Sequence, residues 1–556
     1  MKMKSRLALL SLLLVVATAK AAAPKPPQAA VASAHPLATH AGMEILNEGG
    51  NAFDAAVAVS AALSVVEPYS SGLGGGGLWL LHRSSDGYET LVDGREYAPG
   101  AASATMYQGK DGNVIPRASM DGPLSAAIPG MPAALVYMAQ KYGKLGLSRD
   151  LAPAIKLARD GFPMDQRFHE RLASKLEVLK RWPAAAAAFL DHGGVPAVGW
   201  LLKQPDLADT LELLAKQGDK GFYEGKRAQQ MVDAVRAAGG IWTLGDLKQY
   251  KVVERKPLTG DYHGMHIVSA PPPSSGGVVL IEILNILAGY DLVHADPVQR
   301  VHYVTEAMRY AYHDRADYLG DPDFVKMPIA LLLAPDYAAG LRTTILPDRA
   351  TPSSLLTPVS MPQLGNNTTH YSVLDKDGNR VSGTVTVNFS FGSCFMAPGT
   401  GVVLNDEMDD FSSKAGVPNG YGLVGNSANA IAPHKRPLSS MTPTFLEKPE
   451  GIAILGTPGG SRIISMVLLG TLDFFDGGDA KSIVSLPRYH HQYLPDVLEY
   501  ENGAFTDQEV EALRKMGYTL ADHGQWGNMQ AITWEYKTGK VTAAADPRGI
   551  GSGEVH

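Results

Sequence analysis

Two β-branched runs, 366–374 (NNTTHYSVL) and 381–388 (VSGTVTVN), flank the turn-rich Asp375-Lys376-Asp377-Gly378-Asn379 and constrain the fold more than any other stretch. Such runs around about five turn-forming residues predict a β-hairpin. With the turn centred on Asp377, facing residues carry numbers that sum to 754, which sets Thr368 opposite Thr386. Directly opposed residues share a face, with Cβ atoms roughly 4.5–5.5 Å apart. A slip of one residue would bring Val385 or Val387 there instead. Facing threonines are in most sheets a cross-strand pair, so chemistry at this pair needs support from elsewhere in the chain.

The chain has 556 residues, 45% hydrophobic and 19% charged, enough for several ordinary domains or one large one with layers on both sides of a sheet. Residues 1–21 stand apart. Met1-Lys2-Met3-Lys4-Ser5-Arg6 is a basic n-region, 7–19 an apolar core, and Ala19-Lys20-Ala21 an A-x-A site, the pattern of a cleaved signal peptide. The apolar core is too short to span a bilayer, and no other apolar run reaches that length. An exported protein, periplasmic or secreted, without a membrane span is expected. Loss of Lys2, Lys4, Arg6 and Lys20 takes the formal charge from −7 to about −11. An acidic chain without a basic run argues against nucleic acid as a partner. The single cysteine, Cys394, sits in FGSCFM, which predicts a small buried thiol on a half-buried strand rather than a nucleophile or metal ligand.

The N-terminal part predicts a short strand at 29–32, a helix at 40–47 and a second helix at 51–65 that is apolar on nearly every side and therefore central. Residues 72–77 match G-x-G-x-x-G, with Asp93 downstream. A dinucleotide loop leaves a strand and opens a helix, whereas here a helix precedes the glycines and the strand 78–82 follows. The glycines instead allow a close backbone approach. Asp93-Gly94-Arg95-Glu96 closes the next strand and by itself fits a solvated hairpin end. Helical periodicity dominates 130–345, notably 132–142, 151–160, 278–287 and 301–319, with extended pieces at 252–262 and 266–270. His35, His40, His302 and His313 are scattered without metal-ligand spacing. Residues 342–367 are Pro/Ser/Thr-rich, a surface linker running into Thr368.

Beyond the hairpin, Glu407 and Asp410 in 404–411 (LNDEMDDF) share one side of a helical turn. Two carboxylates with no basic neighbour in sequence suit an ammonium ligand or an exposed acidic turn. Residues 417–431 form a Gly/Asn-rich loop carrying Tyr421. The segments 435–443 (KRPLSSMTP) and 456–462 (GTPGGSR) follow. The second reads as a glycine turn between a strand and a helix start, offering free N–H groups to an anion.

Taken together, NxTTHYSV, the NxEMDDF-type segment, KRPLSSMTP and PGGSR, with DGRE upstream, resemble the γ-glutamyltranspeptidase family of N-terminal-nucleophile hydrolases over nearly all of the chain after residue 21. The resemblance implies an α/β fold, a four-layer αββα sandwich made from one precursor. That precursor cuts itself between Asn367 and Thr368 into a large piece, 22–367, and a small piece, 368–556, which remain together as a heterodimer. No cofactor and no metal are implied.

The resemblance also implies roles. Thr368 is the nucleophile, and its freed α-amine, of reference pKa about 7.7–8.0, is the base. Thr386 holds the Thr368 hydroxyl, and the amides of Gly459 and Gly460 form an oxyanion hole. Arg95, helped by Ser439 and Ser440, takes the α-carboxylate of a γ-glutamyl group. Glu407, Asp410 and Asn388 take its ammonium. The partners are glutathione and other γ-glutamyl compounds, with amino acids, dipeptides or water as acceptors. Residues 417–431 correspond to a lid with Tyr421 as its cover, limiting water and favouring transfer.

Two departures stand out. Asp406 replaces a common asparagine and adds a third negative charge near the ammonium site. Residues 389–396 make a bulkier strand than usual. Competing readings are a glutaryl-type β-lactam (cephalosporin) acylase, whose acyl group lacks the ammonium, and a non-catalytic periplasmic γ-glutamyl-peptide binding protein. A metal-dependent amidase on His490 and His491 is disfavoured because adjacent strand residues face opposite sides.

Overall fold

The computed structural model describes residues 24–356 and 368–556 apart from 415, 418, 424 and 426, so the signal segment and Asn367 lie outside the described residues. The hairpin forms as expected, with strands Thr369–Leu374 and Arg380–Thr386 around the five-residue loop. Val385 pairs with Thr369 and Val381 with Val373, the register that sums to 754. Asp375 fixes the turn: its Oδ1 accepts the amides of Asp377 and Asn379, both at 2.9 Å. Its Oδ2 accepts the Ala52 amide at 2.9 Å, which ties the turn to a helix start.

Seven antiparallel strands make the first sheet, in the order Ser552–Val555, Ala30–Ser33, Thr369–Leu374, Arg380–Thr386, Gly76–Arg83, Tyr88–Gly94 and Val253–Arg255. Six antiparallel strands make the second: Val541–Ala545, Gln530–Glu535, Gly451–Gly456, Thr444–Lys448, Met265–Ser269 and Leu258–Tyr262. Successive strand side chains point to opposite faces, and two cores follow. Trp79, Leu81, Tyr371, Val373 and Val381 pack with the helices Ala52–Val66 and Met131–Lys141. Leu78, Leu80 and Leu374 face the second sheet, whose other side carries Gly276–Leu287, Pro297–Tyr318 and Ile463–Phe475. The layers are helix, sheet, sheet, helix, the expected αββα sandwich.

The helix Ala52–Val66 is buried at every position and opens with a capping box between Asn51 and Asp54. Tyr371 anchors the hairpin to it, donating to the Ala56 carbonyl (3.0 Å) and lying 2.8 Å from Ser60 Oγ. On the opposite face, the inter-sheet layer is polar near the hairpin. Ser372 Oγ donates to the Ile454 carbonyl (3.2 Å) and Ser382 Oγ to the Leu455 carbonyl (3.1 Å). Thr368 and Thr386 share this face by parity, at its end. The close approach permitted by the glycine run is to the protein's own backbone: a Cβ on Gly75 would strike the Thr386 carbonyl.

Two expectations change. Residues 389–396 do not continue the strand; they coil through tight turns with positive φ at Phe391, Gly392 and Cys394. The turns return the chain so that Leu404 bridges Gly74. Cys394 is buried, as expected, and burial pushes its thiol up to about 12. The Pro/Ser/Thr tract is not a loose linker over its described part, through residue 356. Ser353 N donates to Asp496 Oδ2 (2.7 Å), Ser353 Oγ to the Tyr493 carbonyl (2.7 Å), and Ala350 N to the Met516 carbonyl (2.7 Å). Polar contacts and the buried Ile345 hold it down together.

Candidate active site

Thr368 Oγ1 and Thr386 Oγ1 lie 3.2 Å apart at the end of the inter-sheet face. Thr386 Oγ1 also accepts the Asn388 amide at 2.8 Å, and Asn388 holds a left-handed φ of 74°. That conformation turns the chain immediately after the strand and brings Asn388 to the same place. Thr368, Thr386, Asn388, Arg95, Glu407, Asp410, Ser439, Ser440, Tyr421 and Gly460 all line one small cleft. Larger clefts, such as the one beside Lys448 and Trp534, contain none of them.

Gly459 and Gly460 form the turn between the strand Gly451–Gly456 and the helix Ile463–Phe475, with φ of 139° and 58°. Among the described residues neither amide donates to another group of the protein. A Cβ on Gly460 would run into the Tyr421 ring. Tyr421 lines the cleft: its ring stacks on Phe389 with centroids 4.5 Å apart, and its hydroxyl donates to the Asn388 carbonyl at 3.0 Å. Asp409 holds this loop by accepting the Gly420 amide at 2.8 Å, together with Ser119 Oγ at 2.6 Å. The bulky Phe389 therefore supports the tyrosine rather than extending a strand.

The DGRE cluster is not solvated. Asp93, Arg95 and Glu96 are all buried, and the Arg95 guanidinium bonds to both Glu407 and Asp410. These carboxylates lack a basic neighbour in sequence, but the fold supplies one. Burial disfavours charge on all three groups. Mutual attraction nevertheless leaves Arg95 above its ordinary pKa, while Glu407 and Asp410 are pushed up by burial and held back by Arg95. Asp406, the third acid expected here, lies just before them in the chain. It is fully buried, its Oδ1 accepts the Phe389 amide at 3.0 Å, and burial raises its pKa well above the carboxylate range. Burial therefore works against a third negative charge at this position.

Sequence reasoning missed two groups. Glu96 is buried with both oxygens lacking hydrogen-bond partners, 3.6 Å from Arg95 Nη1, and fills the space where a Cβ on Gly76 would be 2.7 Å from its Oε2. Gly76 pairs with Thr386, so Glu96 flanks the threonine pair across the sheet. Only its place in DGRE hinted at this. Arg315, on Pro297–Tyr318, reaches Ser440 from behind, and no local pattern announces it. Among the described residues one trio has metal-ligand spacing: His82, Glu89 and Glu447. The Arg380 guanidinium stands among them, bonded to Glu447 and 3.3 Å from His82 Nδ1, where a metal would otherwise sit. His490 and His491 are buried apart from each other's partners, on Ser465 and Asp496.

Relatives were found by sequence and by structure. The chain is 47% identical over 507 residues to a glutathione hydrolase proenzyme of Pseudomonas sp. (strain A14), covering 90% of this chain and 88% of that protein. It is 43% identical to a protein of the same description from Escherichia coli (strain K12), covering 94% and 91%. Among solved structures, a cephalosporin acylase from Bacillus halodurans superposes with a TM-score of 0.83 at 27% identity, covering 99% of both chains. A Helicobacter pylori gamma-glutamyltranspeptidase gives 0.57 at 42% identity, covering 59% of this chain and 94% of that one. With the Gamma-glutamyltranspeptidase family model matching residues 38–555, and the two glutathione hydrolase proenzymes aligned over 90% and 94% of its length, the chain belongs to the γ-glutamyltranspeptidase family.

Proposed function

We propose that this enzyme is a γ-glutamyltransferase and glutathione hydrolase that cuts itself between Asn367 and Thr368 and uses the freed threonine as nucleophile and base. The observation that carries this reading is the threonine pair, 3.2 Å apart, in one cleft with a guanidinium and two carboxylates. In self-cleavage Thr368 Oγ1 attacks the Asn367 carbonyl carbon. The C–N bond breaks, the hydroxyl proton passes to the new α-amine, and water hydrolyses the ester to free both ends. The match of the Helicobacter chain over 94% of itself but 59% of this chain supports a family member that comes in two pieces.

In turnover the α-amine takes the Thr368 proton as the hydroxyl attacks the γ-amide carbon of the donor. The amides of Gly459 and Gly460 stabilise the oxyanion, and the same proton leaves with the departing amine. Water or an acceptor amine then attacks the γ-glutamyl ester, and Thr368 Oγ1 recovers a proton. A donor zwitterion exchanges with the internal pairs: its α-carboxylate takes donors of Arg95, Ser439 and Ser440, and its ammonium takes Glu407, Asp410 and Asn388. A glutaryl group would free Glu407 and Asp410 from Arg95 without replacing the lost charge, which favours the glutamyl donor over the acylase reading. The pattern of residues 1–21 supports export to the periplasm or beyond. N-terminal sequencing of the smaller piece tests the reading: it should begin at Thr368, and Thr368→Ala should remain one inactive chain. An active enzyme without a new end at that residue refutes it.

A further inference from the structure

We propose that Arg315 is a positioning residue for the donor α-carboxylate, acting through the hydroxyl of Ser440. The proposal rests on the placement of that carboxylate at Ser439 and Ser440 given above. Arg315 is 4% exposed on the inner side of Pro297–Tyr318. Its Nε donates to Ser275 Oγ at 2.9 Å and its Nη2 to Ser440 Oγ at 3.2 Å. Every other buried arginine among the described residues has a carboxylate partner. Arg95 pairs with Glu407, Arg309 with Glu306, Arg380 with Glu447, Arg436 with Asp93, Arg462 with Glu499 and Arg488 with Asp546. Arg315 alone forms no such ion pair among the described residues, and Asp410 acts on it only from a greater distance.

A buried guanidinium without a counter-ion is costly, and proteins rarely keep one without a reason. Burial pushes Arg315 down to about 10, which still leaves it charged at neutral pH. The hydroxyl geometry says where its charge is directed. Ser440 Oγ accepts from Arg315, and Ser439 Oγ accepts the Met441 amide at 3.1 Å. With those lone pairs engaged, the proton of each hydroxyl is left to donate to something else. Both serines line the cleft that holds Thr368. Two donors facing one space, with a positive charge behind one of them, fit a carboxylate. Arg95 is already shared between two acids, so Arg315 supplies the compensating charge when a further anion enters.

The test compares two donors, γ-glutamyl-p-nitroanilide and its α-carboxamide counterpart, in wild type, R315Q, S440A and the double variant. R315Q should raise KM for the carboxylate donor by about tenfold, the scale of one charge-assisted hydrogen bond, with a smaller change in kcat. It should leave kcat/KM for the carboxamide within about twofold. R315Q and S440A should be non-additive, because one acts through the other. Equal losses on both donors, or additive losses, would overturn the proposal. Should R315Q not fold, Ser275→Asp gives Arg315 a carboxylate and keeps the arginine. It should erode the preference for the carboxylate donor, and an unchanged preference would overturn the proposal. A wild type that does not distinguish the two donors would instead remove the carboxylate placement itself, and this proposal with it.

Discussion

Thr386→Val removes one hydroxyl and keeps the shape, and its cost can be worked from two bonds. The first is the 3.2 Å contact to Thr368 Oγ1, which gains strength as that oxygen takes on negative charge. A hydrogen bond to a charged group is worth about 1.5–3 kcal/mol, so its loss should slow acyl transfer by roughly 10- to 150-fold. The second is the 2.8 Å bond from the Asn388 amide, whose loss strands a buried donor in a left-handed residue. That should cost about 1–3 kcal/mol of stability. Thr386→Ser restores both partners and should recover most of the rate. The assay is kcat on γ-glutamyl-p-nitroanilide, measured per Thr368 end counted by N-terminal sequencing, alongside urea unfolding. A valine variant within about twofold of wild type in kcat would refute the argument, because the threonine pair would then be packing alone.

Other consequences follow from the same cleft. Gly460→Ala drives a methyl into Tyr421 and disturbs an amide proposed as an oxyanion donor, so kcat should fall by about 10²–10³, whereas Tyr421→Phe should change it far less. Burial raises the Glu407 and Asp410 pKa values against the pull of Arg95, and both acids must ionise to hold an ammonium. Competitive inhibition by free glutamate should therefore weaken as pH falls, beginning above the ordinary carboxylate range of about 3.9–4.3, and Glu407→Gln should move that break downward. An inhibition constant flat to pH about 4 would count against the ammonium site. Shortening the loop around Tyr421 should shift products from transfer toward hydrolysis, and an unchanged ratio would remove the water-limiting role of the lid.

Local chemistry settled a good deal in advance. Turn formers at 375–379 and two-residue alternation set the hairpin register, because both act between near neighbours, and the result was Thr369 beside Val385. The unbroken apolar surface of 52–66 required a central helix. Helix-before-glycine order at 72–77 excluded a phosphate loop, and the glycines admit the Thr386 backbone instead.

The state of the charges was not legible in the same way. Arg95 meets Glu407 and Asp410 across separations of 312 and 315 residues, so a carboxylate pair without a basic neighbour in sequence is neutralised in the fold. Asp406 reads as a plain charge in the sequence, whereas burial pushes its carboxyl well above the ordinary range; Arg315 reads as one more helix residue and is, among the described residues, the buried arginine without an ion pair. The sequence alone determined the hairpin register, the central helix and which threonines face each other, since hydrogen-bond period and turn chemistry are short-ranged. Only the tertiary structure decided which groups are charged and what they face, because desolvation and Coulomb forces depend on distances that exist only after distant segments have packed together.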